Sequence, residues 1–238
     1  MPPKKKGSGS KPTGELTNWY EHIPKKYVKE YHNPHFDVHH IQIPIRMIIC
    51  GKTGSAKTQT VMNLIKVMAD TFEKIYIITK NSDEPIYNWL KDKYHDSKEI
   101  EVREGVENLP DIDKLDKDIQ SLFIMDDLVG EKNQKPMEQY FLRGRKKNCS
   151  MIYITQSYYA VPKMIRNNMS YLIIKQVANM KNLVMIAREC SLGLDKKQLT
   201  DIYKHATEKV HDFLLIDLEG DPKHRFRKNF NEFYEIEE

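Results

Sequence analysis

The sequence predicts an α/β fold with a mostly parallel sheet flanked by helices. Short apolar segments rich in β-branched residues alternate with stretches whose apolar residues recur at helical spacing, which is the pattern of a wound parallel sheet. The first of these apolar segments passes through a glycine-rich turn into a helical pattern, in MIICGKTGSAKTQTV at residues 47–61. A strand, a glycine-rich turn and a helix in this order form the context of a phosphate-binding loop.

The composition indicates a folded core beneath a strongly solvated surface. Apolar residues make up 39% of the 238 residues and charged residues 30%, which fits one large domain or a domain with an appendage. The low mean hydropathy of -0.66 and the lack of a long uncharged apolar run exclude a transmembrane helix, so no membrane is required. The lysines near the start are not followed by an apolar segment, so no secretory signal is expected.

The cysteines and the net charge indicate which compartment and which kind of partner to expect. The three cysteines are widely spaced and odd in number, which argues against a disulfide framework or a zinc module and fits a reducing, intracellular compartment. The net charge of +4 permits a polyanionic partner without demanding one.

Three regions follow one another along the chain. Residues 1–13 are rich in Lys, Gly, Ser and Pro and are expected to form a disordered basic tail. This tail would serve either as a weak tether to nucleic acid or as a solubilising segment, and its composition does not decide between them. Residues 14–40 form an N-terminal extension without clear periodicity, and residues 41–238 form the α/β domain.

The elements of the α/β domain follow from the hydrophobic pattern. Apolar, β-branched runs predict strands at 43–50, 74–79, 99–105, 121–128, 150–158, 171–177 and 213–219. The charges within 99–105 favour an edge strand. Helical spacing predicts helices at 57–70 and 135–147 and one or two more within 179–205. Pro136 fits the first turn of its helix.

The glycine-rich turn predicts a polyphosphate site. Where the strand stops at Gly51 and a helix begins at Lys57, backbone N–H groups and the helix dipole favour an anion. Lys57 would reach the β- and γ-phosphates of a nucleotide, and the Thr58 hydroxyl would bind Mg²⁺. The binding loop comprises Gly51, Thr53, Gly54, Ser55, Ala56, Lys57 and Thr58.

Ala56 stands where the usual loop, G-x-x-x-x-G-K-[ST], has its second glycine. Glycine there commonly supplies a positive φ angle. Alanine adopts the left-handed region at a cost of roughly 1 kcal/mol. That cost is small beside the charge-assisted contacts of a triphosphate, so we expect reduced affinity rather than a lost site.

Polar residues at the ends of two later strands would complete the site. The strand LFIM at residues 122–125 ends in Asp126 and Asp127, of which the first would hold Mg²⁺ and the second would orient the attacking water. Gln156 ends the strand IYIT and would lie near the γ-phosphate or the lytic water. Taken alone, an acidic turn or a glutamine at a strand end is weak evidence; their order after the loop is what gives them meaning.

Basic residues flank the strand that ends in Gln156. Arg143, Arg145 and Arg166 suit phosphate because a guanidinium donates two parallel hydrogen bonds. One of them could act on a neighbouring subunit's nucleotide as an arginine finger, and others could touch a DNA backbone. Alternatively, these basic residues only lie at a solvated helix end, where their charge complements the helix dipole.

Three segments together resemble a known family. GKTGSAKT, FIMDDL and FLRGRKKNCSMIYITQSYYAVPKMIRNN are similar to the FtsK–HerA superfamily of DNA-pumping ATPases. The closer likeness is to the poxvirus-type genome-packaging ATPases of large DNA viruses and virophages. It covers about residues 44–175, and the G-R…S-x-I-x-x-T-Q-S-Y…P-x-x-I-R-N-N run is its most specific part.

The resemblance implies a RecA-like P-loop NTPase core that uses ATP and Mg²⁺. It makes Lys57 and Thr58 the Walker A pair and Asp126 the Walker B acid. It makes Asp127 the catalytic acid, Gln156 the sensor and Arg145 the arginine acting in trans. It further implies a ring, commonly a hexamer, that threads double-stranded DNA into a preformed capsid through capsid or portal-vertex proteins. The expected location is the viral factory in the host cytoplasm, and the virion itself.

Two other classes remain open on the sequence. A nucleotide kinase also uses a P-loop on an α/β sheet, but it generally needs a lid and an acceptor pocket, for which the sequence gives no evident signal. A non-catalytic scaffold that binds DNA or capsid has no physical need to keep Lys57, Thr58, Asp126 and Asp127 together. Hydrolysis stimulated by DNA would distinguish the motor from both.

Overall fold

The computed structural model describes residue 16 and residues 18–236. The chain divides into two units, residues 1–31 and 32–238. In the first, the described residues form 3₁₀ turns at Trp19–His22 and Lys25–Tyr27. The expected basic tail at residues 1–13 lies outside the described residues.

The second unit is built on one nine-stranded sheet. Its strands are β1 Arg46–Cys50, β2 Lys74–Thr79, β3 Ile100–Glu104, β4 Ser121–Asp126, β5 Cys149–Thr155, β6 Tyr171–Ile174, β7 Leu214–Asp217, β8 Phe226–Lys228 and β9 Glu232–Phe233. Their spatial order is β3-β2-β4-β5-β1-β6-β7-β8-β9. The first six strands of that order pair in parallel, and the last three add on antiparallel. The predicted mostly parallel sheet is confirmed, with β3 at its edge.

Helices and single turns connect the strands. The helices are α1 Phe36–His39, α2 Lys57–Val67, α3 Pro85–Lys93, α4 Lys135–Arg143, α5 Lys163–Arg166, α6 Met180–Cys190 and α7 Lys196–Ala206. Further 3₁₀ turns lie at Val106–Asn108, Ile112–Lys114, Gly144–Lys147, Tyr158–Ala160 and Pro222–His224. Within the described residues, no helix combines the length and apolar character needed to cross a membrane.

Several predicted boundaries shift in the structure. The helix predicted to reach residue 70 ends at Val67, and Asp70 takes a left-handed conformation with φ 61°. The helix predicted for 135–147 remains α-helical only to Arg143 and then tightens into a 3₁₀ turn, with Pro136 in its first turn as expected. Helix α3 and strands β8 and β9 were not predicted, because the strands are too short and α3 too polar to show a clear period.

The core lies on both faces of the sheet. Along β4 every residue is buried, and successive side chains enter opposite layers: Phe123 and Met125 join one cluster, Leu122 and Ile124 the other. Side chains alternate in this way because the strand period is two. A strand buried on both faces can present polar chemistry only at its ends.

Buried hydrogen bonds join the start of the second unit to its antiparallel strands. Arg227 donates to Asp217 at 2.7 Å and to the carbonyl of His40 at 2.9 Å. The neighbouring His39 is fully buried and accepts from the Ile41 N–H through Nδ1 at 3.0 Å. Burial, followed by the neighbouring positive charges, lowers the pKa of His39 to about 4.

His39 should therefore make the fold sensitive to acid. The unfolded chain protonates this histidine near pH 6.5 and the native chain only near pH 4, so stability falls as the pH falls through that window. Over this whole window the free energy of unfolding should fall by about 3 kcal/mol. His39→Asn keeps a short acceptor for Ile41 and should flatten this slope in urea unfolding measured between pH 4 and 7.

The matched control is His95→Asn, because the side chain of His95 is 84% exposed. This variant should keep the wild-type slope. An unchanged slope in His39→Asn would contradict the assignment.

Candidate functional site

A cleft of about 580 Å³ opens where the parallel strands end. The loop between β1 and α2 forms one wall, and the ends of β2, β4 and β5 form the others. Its lining residues are Thr53, Gly54, Ala56, Lys57, Thr58, Gln59, Thr79, Lys80, Asn81, Glu84, Asp126, Asp127, Ile154, Thr155 and Gln156. The carboxyl ends of parallel strands are where open α/β sheets bind ligands.

The start of the loop is fixed to the strands on both sides of β1. The Gly51 N–H donates to the Thr155 carbonyl at 3.1 Å, and the Lys52 N–H donates to the Gln176 carbonyl at 2.7 Å. A Cβ atom at Gly51 would lie 2.5 Å from the Cβ of Lys175, so only glycine fits at this close approach. Gly51 and Ser55 are buried behind the cleft, whereas the other predicted loop residues line it.

Ala56 takes the left-handed conformation that the sequence predicts, with φ 61° and ψ 38°. It occupies the N-cap position of α2 and makes no side-chain capping hydrogen bond. A helix begins with N–H groups that have no partner within the helix. In the absence of a capping side chain, these donors face the cleft as an anion site.

Lys57 places a positive charge at the mouth of the loop. Its Nζ donates to the carbonyls of Gly51 at 2.9 Å and Lys52 at 3.0 Å. Burial lowers the pKa of Lys57, while Asp126 and other nearby negative charges act in the opposite direction. The ammonium is thus held within the loop by two backbone acceptors rather than by a carboxylate.

Asp126 ends β4 as a buried carboxylate held by a phenol. The Tyr87 hydroxyl donates to Oδ2 of Asp126. Burial raises the pKa of Asp126, and the bond from Tyr87 partly opposes that rise. Burial and the charge of Asp126 also raise the pKa of Tyr87, so the phenol stays protonated and donates.

Asp127 and Gln156 face the cleft from neighbouring strands. Asp127 follows β4 in a left-handed conformation with φ 55° and is exposed. Gln156 follows β5, and its Oε1 accepts from the Thr53 hydroxyl at 2.8 Å. This bond joins the phosphate-binding loop directly to the end of the adjacent strand.

Residues at the end of β2 and just after it also line the cleft, and they were not predicted. Thr79, Lys80, Asn81 and Glu84 line the cleft, and Tyr87 on α3 reaches Asp126 from the same side. Their positions were the signal available in the sequence: like Asp126 and Gln156, these residues end or follow a parallel strand.

Arg145 does not join the other predicted residues. It lies in the 3₁₀ turn Gly144–Lys147 before β5, whereas Gln156 follows the same strand. Seven extended residues span about 23 Å, so Arg145 lies near the amino end of β5 and Gln156 lies at its carboxyl end.

The three candidate arginines differ in their partners. Arg143 pairs with Asp113, and Arg166 pairs with Glu189 at 3.1 Å. The side chain of Arg145 is exposed, and it makes no ion pair or hydrogen bond with any residue that the structure describes.

Comparison with known proteins gives the same assignment as the motifs. The model of the poxvirus A32 protein family matches residues 34–217, well over half of the chain. The DNA packaging protein OPG160 of Variola virus is 28% identical over 148 residues, which cover 55% of this chain and 53% of that protein. OPG160 of Monkeypox virus is 25% identical over 142 residues, covering 55% and 47%. The matches thus span about half the length of these curated relatives.

Solved structures confirm the fold. The genome packaging NTPase B204 of Sulfolobus turreted icosahedral virus 2, in complex with ATP-gammaS, matches with a TM-score of 0.55 at 15% identity. The match covers 79% of this chain and 98% of B204. EssC from Geobacillus thermodenitrificans matches with a TM-score of 0.52 at 10% identity over 81% of this chain and 40% of EssC. The predicted P-loop NTPase fold and the predicted likeness to packaging ATPases are confirmed.

The left-handed Ala56 predicts a gain in stability on substitution. Ala56→Gly removes the αL penalty of roughly 1 kcal/mol but adds chain entropy to the unfolded state, which costs about 0.4–1 kcal/mol. We expect a net stabilisation of up to about 0.6 kcal/mol, measured by urea unfolding. The matched control is Ala160→Gly, an exposed alanine with negative φ, which should be neutral or destabilising. Destabilisation by Ala56→Gly would contradict the assigned conformation.

Proposed function

The chain belongs to the poxvirus A32 protein family, and we propose that it is an Mg²⁺-dependent ATPase that drives double-stranded viral DNA into a preformed capsid. The observation that carries this proposal is the convergence of Lys57, Thr58, Asp126, Asp127 and Gln156 on one cleft. Packaging proteins among its relatives support the DNA and capsid partners, and the ATP-gammaS complex of B204 supports the nucleotide.

The loop residues bind the triphosphate. The N–H groups at the start of α2 and the helix dipole hold the phosphate oxygens, because no side chain caps this helix. Lys57 moves from its loop carbonyls to the β- and γ-phosphates, since a phosphate oxygen is a stronger acceptor for an ammonium than a neutral carbonyl.

Thr58 and Asp126 would hold Mg²⁺. Their oxygen donors suit this hard cation, which is usually bound by one or two protein oxygens together with substrate phosphates. The residues fit the role, since the Tyr87 hydroxyl already occupies Oδ2 of Asp126 and leaves Oδ1 for the cation or its water. When bound, the cation would neutralise charge on the phosphates.

Asp127 and Gln156 act on the hydrolytic water and the γ-phosphate. Asp127 is exposed to the cleft and accepts the proton of the water, while the Gln156 amide contacts the γ-phosphate. Because Gln156 bonds to Thr53 in the loop, loss of the γ-phosphate alters a contact between the loop and the end of β5.

Arg145 acts on the nucleotide of the next subunit in a ring, expected to be a hexamer. Arg145 lies at the amino end of β5, whereas the cleft lies at the carboxyl ends of the strands, so Arg145 cannot act in the cleft of its own subunit. Of the three candidate arginines, Arg145 is the one whose guanidinium is uncommitted among the described residues. The ring would work at the capsid or portal vertex in the viral factory of the infected cell, and remain in the virion.

Turnover of ATP tests the motor directly. Double-stranded DNA should stimulate hydrolysis by the wild-type protein. Asp127→Asn should lower turnover about 100-fold or more while nucleotide binding is retained, because only the proton acceptor is lost. The matched control is Asp96→Asn, whose side chain is fully exposed, and it should turn over like wild type. Turnover that DNA leaves unchanged, or phosphate transfer to nucleosides, would contradict the motor.

A mixing experiment tests the arginine. Arg145→Ala should lower DNA-stimulated turnover by about 10³-fold, the range found for arginine fingers. A mixture of Arg145→Ala and Asp127→Asn should recover turnover that neither variant shows alone, because Asp127→Asn subunits supply arginine to intact clefts. Arg143→Ala is the control on the same surface and should need no complementation. A mixture as inactive as its components would exclude action in trans.

A further inference from the structure

A buried lysine lies directly behind the phosphate-binding loop and outside the cleft. Lys175 follows β6 and is 0% exposed. Its Nζ donates to the Thr60 hydroxyl at 3.1 Å and to the His211 carbonyl at 2.9 Å, and it lies 5.6 Å from the ring centroid of Phe213. Burial lowers the pKa of Lys175 to about 8. Lysine is almost never fully buried without partners, so these contacts call for an explanation.

The Thr60 hydroxyl connects Lys175 to Ala56 through two hydrogen bonds. Thr60 donates to the Ala56 carbonyl twice, from its backbone N–H and from its hydroxyl, each at 3.0 Å. A hydroxyl has one proton. Because Lys175 donates to the Thr60 oxygen, the hydroxyl proton is directed to Ala56. The lysine thereby fixes the orientation of the bond that holds the left-handed residue.

The backbone next to Lys175 holds the other end of the same loop. The Lys175 N–H donates to the Cys50 carbonyl at 2.8 Å, and Gln176 accepts from the Lys52 N–H at 2.7 Å. The Cβ of Lys175 also fills the space that a side chain at Gly51 would need. Residues 175 and 176 thus bond to the beginning of the loop through the backbone, and the Lys175 ammonium reaches its end only indirectly, through Thr60.

We propose that Lys175 is a positioning residue that, through Thr60, stabilises the phosphate-binding conformation of the loop at Ala56. This inference rests on the proposed function of the cleft. Glycine would adopt the left-handed conformation without penalty, whereas alanine is strained there. The relay from Lys175 to Ala56 offsets that strain, which explains how the loop functions with alanine in the glycine position.

If Lys175 supports Ala56 through Thr60, substitutions at positions 175 and 56 should affect ATPγS binding in a dependent way. Lys175→Met removes the donor while keeping a long side chain in the space, and binding of ATPγS should weaken roughly tenfold, as expected for a lost hydrogen bond to a charged group. Thr60→Val removes the link but keeps Lys175 bonded to His211, and it should weaken binding similarly. Adding Ala56→Gly to Lys175→Met should recover most of the lost affinity, because glycine needs no support.

The experiment is titration of ATPγS with Mg²⁺ into the full chain by calorimetry, for wild type and each variant, with circular dichroism to confirm folding. The control is Lys66→Met, an exposed lysine on the same helix, which should bind like wild type. Wild-type affinity in Lys175→Met or in Thr60→Val, or a loss that Ala56→Gly does not restore, would overturn the relay. If Lys175→Met does not fold, Thr60→Val alone and combined with Ala56→Gly decides. Failure of the wild-type protein itself to bind ATPγS would instead refute the proposed function.

Discussion

The structure depends on how the loop after β1 is held between its two neighbouring strands. The Gly51 N–H bonds to the end of β5 and the Lys52 N–H bonds to the residue after Lys175. These two bonds turn the chain away from the sheet at a fixed point, so that α2 begins with its N–H groups facing the rim where β4 and β5 end. A shift of either bond would move the loop relative to Asp126 and Gln156, and the cleft would lose its geometry.

Burial explains why polar chemistry concentrates at this rim. Strands β4 and β5 are buried along their whole length, so a charged or amide side chain finds a place only at or just beyond their last residues. Asp126 is itself buried, and the phenol of Tyr87 supplies the hydrogen bond that its carboxylate needs. Parallel pairing of β2, β4, β5 and β1 then brings separate pieces of sequence to one edge. Arg145 lies before the start of β5 and therefore away from this cleft.

The sequence predicted the elements that repeat a simple period and the residues that follow them. The central strands and α2 came from hydrophobic runs and helical spacing. The loop, Asp126, Asp127 and Gln156 came from their places at strand ends. What could not be predicted rests on contacts between distant residues. Tyr87 meets Asp126 across 39 positions and Lys175 meets Thr60 across 115, and neither tyrosine nor lysine differs locally from its neighbours. The short strands β8 and β9 carry too few residues to show alternation.

A crystal structure of the full chain with ATPγS and Mg²⁺ would show whether the nucleotide occupies this cleft. We expect a triphosphate lying over the N–H groups of residues 53–58, with Lys57 and the Gln156 amide within hydrogen-bonding distance of the γ-phosphate and Thr58 and Asp126 facing the cation. A nucleotide bound elsewhere on the molecule, or a loop rearranged so that these side chains no longer share one cleft, would contradict it.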